Sequence, residues 1–186
     1  MSKQKTINLV NGVNMDALGG TVNTIQENPE LGESRFHIRN KWIGGGQNRS
    51  KVTDFFGAGQ VLFHKQTFEL DADEPAVLGS EDKGANPVEN LLHALAACLT
   101  TSMVCHAAVR GIRIDELASE LEGDIDLRGF LGLSQDVRKG YRSIRVKFKI
   151  KTDEENLEKL EALAKFSPVF DVVSNGTSVD IQMERK

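Results

Sequence analysis

The chain has little cysteine. Its 186 residues include two, Cys98 and Cys105. That is too few for a disulfide-stapled scaffold and fits a cytoplasmic protein. Histidine is almost as scarce, at positions 37, 64, 93 and 106. No Cys-x-x-Cys or His-Glu-x-x-His spacing occurs, so neither a metal nor any other cofactor is expected. The opening MSKQKTINLV lacks the apolar stretch of a signal peptide. No unbroken run of ~18 apolar residues predicts a membrane span. Basic charge is not in excess: 23 Lys and Arg stand against 27 Asp and Glu, a net charge of -4. Nothing resembles the clustered cations of a nucleic-acid surface. Neither a nucleic-acid nor a membrane partner is therefore expected.

What remains is ordinary globular material, with 39% hydrophobic and 27% charged residues in a length that suits one core. Met15, Leu18, Val22 and Ile25 fall on one helical stripe, predicting a helix within an N-terminal extension over 1–33. In SRFHIRNKW, Phe36, Ile38 and Trp42 alternate with charges, predicting a strand with one buried face. RSKVTDFFGAG and QVLFHKQTFEL continue an antiparallel meander. DADEPAVLGSEDKGANP reads as an acidic loop. IRIDELASELEGDIDLR predicts a strand with a bulge at Gly123, and YRSIRVKFKIK a half-buried strand. DEENLEKLEALAKF predicts a helix capped by Asp153, with Leu157, Leu160 and Ala164 facing inward. SPVFDVVSNG predicts a helix with Ser167 as cap and Pro168 at its first position. TSVDIQME predicts a final strand. The order is that of an α+β fold.

The informative stretch is the helix predicted from Pro87 to Arg110. Asn86 and Glu89 have capping-box spacing, and Gly111 suits the position after the helix end. The middle, LLHALAACL, is apolar nearly all round, which predicts burial on most sides. Both cysteines lie here, seven residues apart. They share a face to within ~20° but are ~10.5 Å apart along the axis. A disulfide needs Cα atoms closer than ~7 Å, so an intact helix forbids one between them. Taken alone, each thiol reads as a small core residue.

GANPVENLLHALAACLTTSMVCHAAVRGI, from Gly84 to Ile112, resembles the central-helix signature of the OsmC/Ohr family of thiol-dependent hydroperoxide reductases and their relatives. The order of elements extends the resemblance over 34–186 as a single domain. GDIDLRGFLGLS, SPVFDVVSNGTSV and the N-terminal helix resemble one OsmC-like branch. The resemblance implies antiparallel sheets packed around a long buried helix, and two chains intertwined as a homodimer. It also implies a peroxidatic cysteine on that helix, matched here by Cys98. This thiol would attack the O–O bond of an organic hydroperoxide and become a sulfenic acid. A resolving cysteine, an arginine from the N-terminal hairpin and a glutamate complete the family pattern.

The chain departs from that pattern at each supporting residue. Ser167 stands where the resolving cysteine would be, so an external thiol would have to regenerate Cys98. Val88 occupies the glutamate's position; Glu89 is next to it but on the opposite helix face from Cys98. Gln47 aligns with the arginine, leaving Arg49, two residues later, and Arg39 as candidates. The candidate catalytic set is Cys98, Arg49 and Glu89. His93, ~140° round the helix from Cys98, is badly placed as its base; His106 suits packing or a pocket rim. The expected activity is reduction of an organic hydroperoxide through Cys98. The alternative is a non-catalytic member of the fold that binds a small apolar ligand at the dimer interface.

Overall fold

The computed structural model describes residues 7–185. The first six positions of the predicted N-terminal extension, and Lys186, lie outside the described residues. The chain divides into two compact units, Met1–Leu91 and Leu92–Lys186.

In the first unit, a short hairpin of β1 (Leu9–Val10) and β2 (Val13–Asn14) leads into α1 (Met15–Glu27). Asn14 starts this predicted helix, its side-chain oxygen accepting from the Ala17 amide at 3.0 Å. Gly19 and Gly20 lie inside α1 although no neighbouring atom would crowd a Cβ at either position. The meander follows, with the single strand predicted over SRFHIRNKW split in two: β3 (Arg35–Phe36), β4 (Arg39–Gly44), β5 (Gln47–Gly57) and β6 (Gln60–Ala72). β5 is central, pairing antiparallel with β3 and β4 along one edge and with β6 along the other. The β5–β6 turn is Ala58-Gly59 with both φ positive, at 49° and 73°. A two-residue hairpin of this handedness matches the twist of its strands.

One expectation for this sheet fails. Phe36, Ile38 and Trp42 are 74%, 54% and 70% exposed, not buried. Alternation predicts a buried face only where a second layer exists, and α1 buries none of its side chains. The rings instead find one another. Phe36, Phe55, His64 and Phe68 form a row across β3, β5 and β6 with successive centroids 5.3 Å apart.

The second unit holds a packed core. α2 (Pro87–Val109) begins in the first unit and runs through the second. Gly111 follows it with φ +69°, as its predicted terminal role requires. β7 (Glu116–Asp124) and β8 (Ser143–Lys151) pair in unbroken antiparallel register, so the bulge predicted at Gly123 is absent. Gly123 is there for space: a Cβ would collide with the Tyr141 ring. α3 (Leu127–Phe130) lies between these strands, and α4 (Leu157–Ala164) and α5 (Pro168–Asn175) follow.

Leu95, Leu99, Met103 and Ala107 of α2, four residues apart, form the buried stripe. It meets Leu160, Leu163 and Ala164 of α4, with Leu117, Leu121, Ile144, Phe148 and Ile150 of the sheet packed against them. α2 is thus buried along one stripe rather than on most sides. It is also long and apolar enough, by length and composition alone, to cross a bilayer, as the core helix of a globular protein can be. α4 starts later than predicted, after a 3-10 turn over Glu154–Asn156, so Asn156 replaces Asp153 at the cap. Leu157 is consequently exposed, at 46%, and Leu163 takes its place in the stripe. The predicted final strand does not form: 176–185 carry no regular structure. Val179, Ile181 and Met183 alternate as a strand would, but a strand needs a neighbouring edge to satisfy its backbone.

Candidate functional site

Cys98 and Cys105 are both free and partly buried. Cys98 immediately precedes the buried Leu99 on α2, and Cys105 lies two residues beyond the buried Met103. On a regular helix Cys98 lies ~60° from Leu95, and Cys105 ~60° from Ala108, which is also buried, so both thiols flank the packed stripe. Neither is sealed in the core.

Glu89 sits in the first turn of α2, where its carboxylate accepts from the Asn86 amide at 2.9 Å while the Asn86 side chain accepts from the Glu89 amide at 2.8 Å. This reciprocal capping box satisfies two amides at the helix start. It gives Glu89 a structural task.

Arg49 is likewise engaged. On β5 it faces Asp71 across the ladder, and its Nε and Nη2 donate to the two carboxylate oxygens at 2.6 and 2.8 Å. A further contact of 3.3 Å reaches Glu69, which also pairs with Lys51 at 2.7 Å. The need for these acids lies on β4: Lys41 stands opposite Arg49, and Arg39 opposite Lys51. Like charges directly across a ladder repel, and the carboxylates of β6 offset them. Asp71 holds Arg49 above the ordinary guanidinium range, while Arg49 holds Asp71 below the ordinary carboxylate range. Arg39 donates to Thr53 at 3.3 Å and pairs with Asp54 at 3.5 Å; Asp54 also takes His37 at 3.3 Å. Arg49, Arg39 and Glu89 belong to the first unit and Cys98 to the second.

Ser167 is 1% exposed. Its hydroxyl accepts from the Phe170 amide at 3.1 Å, the predicted cap of α5. His93 is exposed. His106 stacks on Phe166 with centroids 4.4 Å apart, and Arg110 donates to its carbonyl at 3.0 Å. Burial, and secondarily the charge of Arg110, holds the His106 imidazole below its ordinary value. It is a packed ring rather than a poised base.

The acidic loop holds a carboxylate that is not solvated, contrary to what acidic composition alone suggests. Asp73 is 1% exposed. Its carboxylate accepts from Ser80 Oγ at 2.5 Å and from the amides of Glu74 and Lys83 at 2.8 and 3.0 Å. Ser80 Oγ in turn accepts from the Gly46 amide at 3.1 Å. The Ser80 hydroxyl, then the Lys83 amide, hold Asp73 below the ordinary carboxylate range. One buried carboxylate thus organises the loop onto the β4–β5 turn. No periodicity marks such a residue, because it acts through backbone amides. Among the described residues, no group of three or more His, Cys, Asp or Glu side chains could hold a metal ion.

The fold has known counterparts. A structure from Psychrobacter arcticus, described as a putative osmotic stress induced and detoxification response protein, superposes with TM-score 0.56 at 13% identity, covering 75% of this chain and 88% of its own. An OsmC like protein from Mycoplasma pneumoniae gives 0.55 at 19% identity, covering 76% and 88%. An organic hydroperoxide resistance protein OsmC from Legionella pneumophila gives 0.53 at 18% identity, covering 76% and 91%. No curated protein sequence matches the chain. The family model for OsmC-like protein matches residues 80–182, which takes in α2 with both cysteines, the β7–β8 sheet and both C-terminal helices. On that match, together with an α+β architecture of antiparallel sheets and a long central helix, the chain belongs to the OsmC-like protein family.

Proposed function

We propose that the protein serves peroxide resistance as a single-cysteine thiol peroxidase. The observation that carries this reading is Cys98: a free, partly exposed thiol on the central helix of an OsmC-like fold. The likeness to an organic hydroperoxide resistance protein points to organic hydroperoxides as substrates. The Cys98 thiolate attacks the terminal oxygen of ROOH. The O–O bond breaks, an S–O bond forms, and the alkoxide leaves as ROH after taking a proton; sulfur is oxidised to the sulfenic acid. Ser167 cannot resolve this species, and helix geometry keeps Cys105 out of reach. A small external thiol therefore condenses with it, releasing water, and a second thiol reduces the mixed disulfide.

The working form is a homodimer. The exposed aromatic and aliphatic side chains of the first unit, Trp42 at 70% and Phe63 at 78% among them, are the kind that association covers. Arg49 remains the candidate guanidinium for the peroxide, provided it exchanges its carboxylate partners for the substrate.

A second reading has an observation of its own. Glu89 is committed to a capping box and Arg49 to a charge ladder, as in a fold member that binds an apolar ligand at the dimer interface without turnover. Intact mass with a sulfenate trap decides between them. Substoichiometric organic hydroperoxide labels the wild-type chain once, and Cys98→Ser abolishes the label. No adduct, or equal labelling of Cys98 and Cys105, overturns the peroxidase reading.

A further inference from the structure

β7 and β8 form a hairpin, yet residues 125–142 connect them, far more than the ~2–5 residues such a connection usually needs. Long ordered connections of this kind tend to be functional. This one is built around an apolar tip. Leu127, Phe130, Leu131 and Leu133 are 38%, 57%, 53% and 72% exposed within one short stretch.

The tip is framed rather than loose. Asp126 caps α3 by accepting from the Arg128 amide at 3.1 Å, and the Arg128 guanidinium closes back on the same carboxylate at 2.7 Å. The Leu131 amide donates to the Leu127 carbonyl at 2.8 Å, and the Leu133 amide to the Arg128 carbonyl at 2.9 Å. Gly132 turns the chain between them with φ +70°.

A second observation concerns charge. Gly129 is buried, and a Cβ there would come within 2.5 Å of the Arg138 carbonyl oxygen. This close approach sets the backbone of Arg138 and Lys139 beside the apolar tip. Arg128 is neutralised by Asp126, and Arg142 acts on Asp124 and Asp126. Arg138 and Lys139 are exposed and carry no carboxylate partner among the described residues. Residues 125–142 carry Arg128, Arg138, Lys139 and Arg142 against Asp126 and the exposed Asp136, so in a chain of net charge -4 this loop is net positive by two beside four exposed large hydrophobics. Apolar side chains flanked by Lys and Arg suit the headgroup region of an anionic bilayer, where the side chains enter the interface and the cations meet phosphate.

We propose that the 125–142 loop docks the protein reversibly on anionic lipid surfaces, Phe130 and Leu133 inserting and Arg138 and Lys139 contacting headgroups. The expectation of no membrane partner rested on the absence of a spanning run, and a tip this short lies below that criterion. The proposal does not depend on Cys98 chemistry.

Vesicle co-sedimentation of the full chain tests it. Phosphatidylcholine–phosphatidylserine vesicles should bind the protein and pure phosphatidylcholine vesicles should bind it at least ~tenfold more weakly. Phe130→Ser/Leu133→Ser and Arg138→Gln/Lys139→Gln should each weaken anionic binding by ~tenfold or more, and added salt should release it. An unchanged circular dichroism spectrum and thermal midpoint show that these variants fold. Hydrogen exchange at 127–133 should slow only when anionic vesicles are present. Absence of binding, equal binding to neutral vesicles, or indifference to both double variants overturns the proposal. So does slow exchange at 127–133 that depends on protein concentration without lipid, which assigns the tip to a second copy of the chain.

Discussion

The two units spend their apolar residues differently. In the second, α2, α4 and the β7–β8 sheet enclose a core in which Met103 and Leu160 are 1% and 0% exposed. In the first, the one fully buried side chain among the described residues is a carboxylate, Asp73. Its sheet is held by ladders, a row of rings and cross-strand charges, while Phe36, Trp42 and Phe63 face outward. The same alternation of apolar and charged residues therefore yields a packed sheet in one unit and an uncovered one in the other. The difference is the second layer: the β7–β8 sheet has helices against its apolar face, and α1 supplies no buried side chain. Exposed apolar side chains of this kind are what the proposed homodimer would cover.

This contrast can be broken by substitution. Met103→Ala removes a fully enclosed side chain and should lower unfolding free energy by ~2–5 kcal/mol in urea titrations. A loss below ~1 kcal/mol would mean that the second unit is not the stable core. Ser167→Ala deletes the α5 cap and should cost about 1 kcal/mol, read in the same titration. Ser167→Thr should retain most of that stability, since either hydroxyl can accept from the Phe170 amide. The smallest effect is expected in the first unit. Trp42→Ser should alter the stability of the dilute chain by less than ~0.5 kcal/mol, yet weaken self-association in sedimentation at higher concentration. A large loss in the dilute chain would show that Trp42 is already covered within one copy.

Much of the fold was legible because it depends on local chemistry. Asn86, Pro87, Glu89 and Gly111 bracket α2 through caps and a positive φ, all encoded within a few residues. Ser167 and Pro168 do the same for α5, and the two-residue alternation of YRSIRVKFKIK gives β8. The failures are of another kind. Asp153 lost the α4 cap to Asn156 because a 3-10 turn intervened. Val179, Ile181 and Met183 have the pattern of a strand but lack an edge. Gly123 looked like a bulge and is instead the floor beneath Tyr141.

At the candidate site, helix spacing excluded a disulfide between Cys98 and Cys105, while the choice of Cys98 over Cys105 was an expectation from the family resemblance. The sequence also marked Ser167 as a cap. Only the tertiary structure decided how the charged residues are used. Arg49 is bound by Asp71 from a strand more than twenty residues away, and Asp73 gathers Ser80, Lys83 and the β4–β5 turn around one carboxylate. Caps and periodicities act over one or two turns of chain. Ion pairs and buried carboxylates act through space, and which residues share that space is set by register and loop closure.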